Sequence, residues 1–166
     1  MKNIETQGCN RCPGAENPNW GIEGEKKQKR IMVILECSDQ RAIGFDYEEK
    51  LFQSKTGRVL KEIIGEKLDQ TVITNTVKCL FDGGNRKPNR QEFSQCAVNV
   101  RRQIEEFNPE IILCLGEKAA EAITGKKYQD VLGKVIGKVV VAHHPRVMTR
   151  EEKKTIREIV ELCLPS

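Results

Sequence analysis

At 166 residues the chain has room for one compact domain with a proper core, and not comfortably for two. Charged residues are plentiful and aromatics scarce, yet apolar stretches recur, which excludes a disordered polypeptide. A formal charge of +4 permits contact with nucleic acid without demanding it; no run is apolar enough to span a bilayer or, in MKNIETQGC, to act as a secretory signal, so a cytoplasmic protein is expected, and a monomer because nothing in the sequence forces a dimer.

The chain opens on GCNRCPG, which places Cys9 and Cys12 three positions apart. AENPNWGIEGEKKQKR follows, rich in turn formers, and its basic end reads as a solvated approach to a strand. IMVILE (31–36) is a short continuous apolar segment, the pattern of a strand covered on both faces. SKTGRVLKEIIGEKL spaces Val59, Leu60, Ile63 and Ile64 for one face of a helix, with Ser54 or Thr56 as cap.

VITNTV (72–77) predicts a second strand, and FDGGNRKPNRQ a loop on its Gly, Asn and Pro content. A helix is expected from Arg90 to Phe107, stopped by Asn108 and Pro109. IILCL (111–115) is a third buried strand, EKAAEAITG a short helix with Gly125 as C-cap, and KVVVA (138–142) a fourth strand. TREEKKTIREIVELC closes the chain as an amphipathic helix with Thr149 as N-cap.

Strands alternating with helices require crossovers, so the fold class is α/β: a three-layer α/β/α sandwich around a mostly parallel four-stranded sheet. Ligands in such sheets bind at the carboxyl ends of the strands. The segments to read for chemistry are therefore CSDQ, the turn from Asn75 to Cys79, LGEK and HHPR.

Seven cysteines cannot all pair within the chain, and in a reducing compartment clustered cysteines suggest metal more than disulfides. Beyond the first pair stand Cys79 and Cys96, a C-x16-C spacing. A zinc ribbon would show a second tight knuckle, which is absent. Spacing alone leaves an iron–sulfur cluster, a zinc site and free thiols open. Cys114 and Cys163 read as small core residues, and Cys37 as an inert buried thiol at a strand end.

The motifs together resemble the iron–sulfur, family-four uracil-DNA glycosylases, in order and over nearly the whole chain. They stand here as Cys9 and Cys12; Glu36 in LECSD; Phe52 and Gly57 in FQSKTG; Asn75 through Cys79 in TNTVKC; Asn85, Arg86 and Pro88; Cys96; LGEKAA; and His144–Pro145. The resemblance implies that Cys9, Cys12, Cys79 and Cys96 ligate a structural [4Fe-4S] cluster. It implies that the substrate is DNA containing uracil or another deaminated base. Phe52 would stack on the everted base, Asn75 would read its edge, and His144 would stabilise charge on uracil O2. Arg146 and Arg150 would grip phosphates.

The first motif departs from the family. G-E-A-P-G is replaced by Leu35, Glu36, Cys37, Ser38 and Asp39, so side chains stand where the family has bare backbone. Glu36 and Asp39 are the candidates for activating water, with Asp46, Glu48 and Glu49 behind them. Two functions follow. One is a monofunctional N-glycosylase; the other is a cluster-containing member of the fold that binds nucleic acid without excising a base.

Overall fold

The computed structural model describes residues 1–4, 9, 11–12, 15–16, 20–37, 47–82 and 86–164. The strands are β1 (Lys2–Asn3), β2 (Ala15–Glu16), β3 (Ile22–Glu23), β4 (Ile31–Cys37), β5 (Thr71–Val77), β6 (Leu80–Phe81), β7 (Ile111–Leu115), β8 (Val135–Ile136) and β9 (Val139–Ala142). The helices are α1 (Tyr47–Gln53), α2 (Lys55–Ile64), α3 (Arg90–Phe107), α4 (Glu117–Thr124), α5 (Tyr128–Val131) and α6 (Arg150–Cys163), with a 3-10 stretch at Gly65–Gln70.

Among the described residues the main sheet runs β1-β3-β5-β4-β7-β9-β8. Its four central strands are the four expected from sequence, and all are mutually parallel. β1 and β3 at one margin, and β8 at the other, are short antiparallel additions that carry no periodic signal of their own. A separate ribbon pairs β2 with β6.

Alternation in β4 divides the interior. Ile31, Val33 and Leu35 face a layer supplied by α2 (Val59, Leu60, Ile63), α6 (Ile156, Val160) and Leu51 of α1. Met32 and Ile34 face the other layer, with Val100 of α3, Ala119 and Ala120 of α4, and Val131 of α5. Each fully buried Leu or Ile contributes about 1.5–3 kcal/mol, so these two layers supply most of the drive to fold.

Local chemistry sets the helix ends. Ser54 caps α2 by accepting from the Gly57 N–H at 3.1 Å. Asn89 and Glu92 form a reciprocal capping box on α3, and Asn108 ends that helix in the left-handed region. Thr149 caps α6 as expected.

Two expectations need correction. Cys163 is exposed, because the inward stripe of α6 runs Ile156, Val160, Leu164 and Leu164 occupies the buried place. The basic run is solvated over Glu25–Gln28, but Lys29 is buried and pairs with Glu23 at 3.3 Å. No helix among the described residues is long and apolar enough to cross a membrane.

Candidate active site and cysteine pocket

The order β5-β4-β7-β9 means that the chain winds one way from β4 to β5, then returns past β4 to build β7 and β9. Such a reversal opens a crevice at the carboxyl ends of the two strands beside it, here β4 and β7. Glu36 stands at the end of β4, and Gly116 follows β7. Glu36 Oε1 accepts from the backbone N–H of Lys118 at 3.2 Å, so the carboxylate rests on the amino end of α4. Gly116 has φ +110°, and a Cβ there would meet the Glu36 side chain.

His144 lies just beyond β9, half-buried. Burial holds its pKa below the ordinary histidine value; Glu36 opposes that shift and Arg146 adds to it. The ring is thus neutral at neutral pH. His144 Nδ1 accepts from the backbone N–H of Arg146 at 3.3 Å, which leaves the single ring proton on Nε2. Arg146 and Arg150 are exposed, on the same loop and at the start of α6. Lys55, opening α2, donates to the Arg146 carbonyl at 2.8 Å and ties the loop to the helix layer that α2 and α6 share.

Asn75 is buried in β5, paired in register with Leu35 of β4. Three residues on, just past the end of β5, lies Lys78, which is wholly buried and which sequence reading passed over. Its ammonium donates to the Asn75 carbonyl (2.8 Å), to Gln103 Oε1 (2.6 Å) and to Thr74 Oγ1. Burial draws the Lys78 pKa down to about 7, against the pull of Cys96 and Cys79. Gln103 and Thr74 also meet the Trp20 carbonyl, each at 2.9 Å, so β5, α3 and the segment before β3 share one polar centre.

Phe52 ends α1 half-buried, packed on the core layer that α2 and α6 supply. Gly57 sets its position: a Cβ at 57 would lie 2.1 Å from the Leu51 carbonyl oxygen and 2.6 Å from the Phe52 Cα. The F-x-x-x-x-G spacing is therefore a packing requirement between successive helices. Lys61 Nζ sits 4.6 Å from the centroid of the Phe52 ring.

Asp39, Asp46 and Asn85 lie outside the described residues. Glu48 pairs with the Met1 ammonium at 3.3 Å, and Glu49 accepts from Gln53 at 2.9 Å. Among the described residues, Glu36 is the acidic candidate that lies at the β4–β7 crevice, close enough to His144 to act on its charge.

Cys9, Cys12, Cys79 and Cys96 line one open pocket, with Arg11 and Gln95 on its wall. Cys96 is held from two sides, by the Lys78 N–H at 3.4 Å and by Asn99 Nδ2 at 3.6 Å. The same Asn99 amide reaches Cys9 Sγ at 3.8 Å and accepts from Arg11 at 3.2 Å. Burial pushes the Cys79 thiol up to about 11, and the neighbouring cysteines push the same way. Among the described residues no three His, Cys, Asp or Glu side chains converge tightly enough for a single metal ion. Cys37, expected to be inert and buried, is half-buried and packs against this group. Arg86 braces the loop between Cys79 and Cys96: it forms a two-point bridge to Glu92 (2.7 and 2.9 Å) and covers the Phe81 ring at 4.6 Å.

The family model described as "Uracil DNA glycosylase superfamily" matches residues 26–163. The chain belongs to that superfamily. It is 28% identical to a Type-4 uracil-DNA glycosylase of Archaeoglobus fulgidus, over 96% of this chain and 90% of that one. A relative of the same name from Sulfurisphaera tokodaii is 30% identical over 93% and 81%, and one from Thermotoga maritima 29% over 92% and 83%.

Within the superfamily fold, the resemblance drawn from the motifs holds, and so does the α/β architecture. The superfamily model begins its match after Cys9 and Cys12, whereas the alignment with the Archaeoglobus fulgidus relative spans 96% of this chain and so takes in that pair. Sequence reading missed Lys78, Asn99 and Gln103, whose roles depend on partners tens of positions away. The Asn89–Glu92 box, by contrast, carried a local signal: Asn followed three residues later by Glu, ahead of an apolar run.

Proposed function

We propose that the protein is a DNA repair glycosylase that removes uracil from DNA, hydrolysing the N1–C1′ bond and leaving an abasic site. Superfamily membership and relatives named Type-4 uracil-DNA glycosylase support this reading. The observation that carries it is the His144 ring, neutral and presenting Nε2–H, at the carboxyl end of the sheet that also bears Asn75 and Glu36.

The target nucleotide leaves the stack, and Phe52 offers its ring to the everted base; such stacking is worth about 1–3 kcal/mol and is tolerant of base identity. Discrimination falls to Asn75, whose amide accepts from uracil N3–H and donates to O4. Cytosine reverses that pattern and leaves desolvated groups unmatched. As the glycosidic bond lengthens, negative charge grows on the base. His144 Nε2–H donates to O2 and stabilises that charge without surrendering its proton; loss of one such donor typically costs about 10²–10³ in rate. Water adds to C1′ on the opposite side and yields a proton to a carboxylate, Glu36 or Asp39. Uracil departs as the anion and is protonated in solvent. Arg146 and Arg150 supply phosphate contacts.

Cys9, Cys12, Cys79 and Cys96 would hold a [4Fe-4S] cluster, which supplies a structural tie and no chemical step. The donor set fits. Cys9, Cys12, Cys79 and Cys96 come from three separate segments and line the same pocket. Four soft anionic ligands suit an iron–sulfur core.

The test is base release from oligonucleotides containing uracil, hypoxanthine or xanthine, scored as alkali-labile sites. Uracil release is expected, and His144→Ala and Asn75→Asp should reduce it. Salt-sensitive binding with no release from any of the three, at high enzyme and with iron bound, overturns the proposal in favour of a non-catalytic binding protein.

A further inference from the structure

The α3 and α6 helices begin alike and then diverge. In α3, Glu92 at the third position turns back to its own cap, accepting from the Asn89 N–H at 2.7 Å. In α6, Glu152 occupies the same place and donates its backbone N–H to Thr149 Oγ1 at 3.1 Å, but its carboxylate goes elsewhere. Oε1 accepts from the His143 backbone N–H at 2.8 Å, and both oxygens lie 3.1 Å from His143 Nδ1. The Glu152 side chain is 19% exposed, so this is no loose surface pair. From another side the Tyr128 ring meets the His143 ring edge-on, with centroids 6.3 Å apart.

Residue 143 is where the chain leaves the sheet. The bond from Gly116 N–H to the Ala142 carbonyl (3.0 Å) precedes it, and the turn closed from Val147 N–H to the His144 carbonyl (2.9 Å) follows. We propose that Glu152 is a positioning residue for His144: by fixing the backbone N–H and ring of the residue before it, Glu152 sets the direction of the imidazole and keeps Nδ1 within reach of the Arg146 N–H. The proposal rests on the glycosylase reading for its kinetic consequence and on geometry alone for its structural one.

The experiment compares Glu152→Ala, Glu152→Gln and Glu152→Asp with Thr149→Val, which weakens the same helix end but keeps the carboxylate. Single-turnover uracil release should fall about tenfold or more in Glu152→Ala, since small misplacements of a catalytic group cost that much, while affinity for uracil-containing DNA stays within about twofold. Glu152→Gln keeps an acceptor for the His143 N–H and should recover most of the rate; Thr149→Val should retain it. Should the alanine variant not fold, Glu152→Asp carries the same test, because its carboxylate is one methylene short.

Ring ¹⁵N shifts of His144 give a readout independent of turnover. The wild type should show the Nε2–H form, and the Glu152→Ala or Glu152→Asp protein a mixture of tautomers. If the wild type releases no uracil, the glycosylase reading fails separately and the spectra decide this inference alone. It is overturned by a wild-type His144 spectrum in the folded alanine or aspartate variant. Equal loss of rate in Thr149→Val, or a glutamine variant no better than alanine, also overturns it.

Discussion

Gly116 and Glu36 meet across the carboxyl ends of β7 and β4, where a Cβ at 116 would stand 2.9 Å from Glu36 Oε1 and 3.0 Å from its Cγ. The carboxylate keeps its place on the amino end of α4 only because residue 116 has no side chain and can adopt φ +110°. Gly116→Ala should therefore displace Glu36 and strain the backbone, at about 1–3 kcal/mol. A melting temperature lower by about 2–10 °C is expected, with single-turnover base release reduced more than substrate affinity. A variant that melts and reacts like the wild type would show that Glu36 does not need this seat.

The depressed pKa of His144 predicts the acid side of the pH–rate profile. Burial favours the neutral ring, so activity should persist below the ordinary histidine pKa and fall as the folded-state value is crossed. The sign for stability is the same. The unfolded chain binds the proton first on acidification, so this residue's contribution is present above the unfolded value of about 6.5 and is lost as pH falls through the folded value. A His144→Gln protein should lack that acid limb. Profiles of release rate against pH for the two proteins check it.

Gly57→Ala tests the placement of Phe52. The added Cβ would fall 2.1 Å from the Leu51 carbonyl oxygen, a backbone atom that cannot step aside without moving α1 against α2. The expected outcome is destabilisation of about 1–3 kcal/mol in denaturant titration, of the size seen for overpacking. Affinity for uracil-containing DNA should weaken as well, because the stacking ring moves with the helix end.

The cysteine pocket predicts iron. Protein prepared without oxygen should be coloured and carry about four iron atoms per chain. Cys96→Ser should lose the colour and loosen both the N-terminal segment and the loop braced by Arg86, read as faster proteolysis at those segments and a lower melting temperature. Asn99→Leu, which removes the amide shared by Cys9 and Cys96, should bind iron but release it sooner to a chelator. Colourless, iron-free protein with unchanged melting would overturn the cluster assignment.

Periodicity within a few residues determined much of this protein. IMVILE and IILCL are continuously apolar because parallel strands are buried on both faces, and Arg90–Phe107 is bounded by an asparagine at each end because helix termini need local polar partners. Those signals are local, so they survive in a string of letters, as do the ordered motifs around Asn75 and His144. Tertiary structure alone decided the rest. Lys78 is buried because Gln103, Thr74 and the Asn75 carbonyl accept its protons, and Asn99 belongs to the cysteine pocket because α3 brings it to Cys9. Glu152 leaves its own helix cap for His143. Each of those choices depends on groups that are distant in the chain, and a desolvated polar atom finds such partners only after the layers have packed.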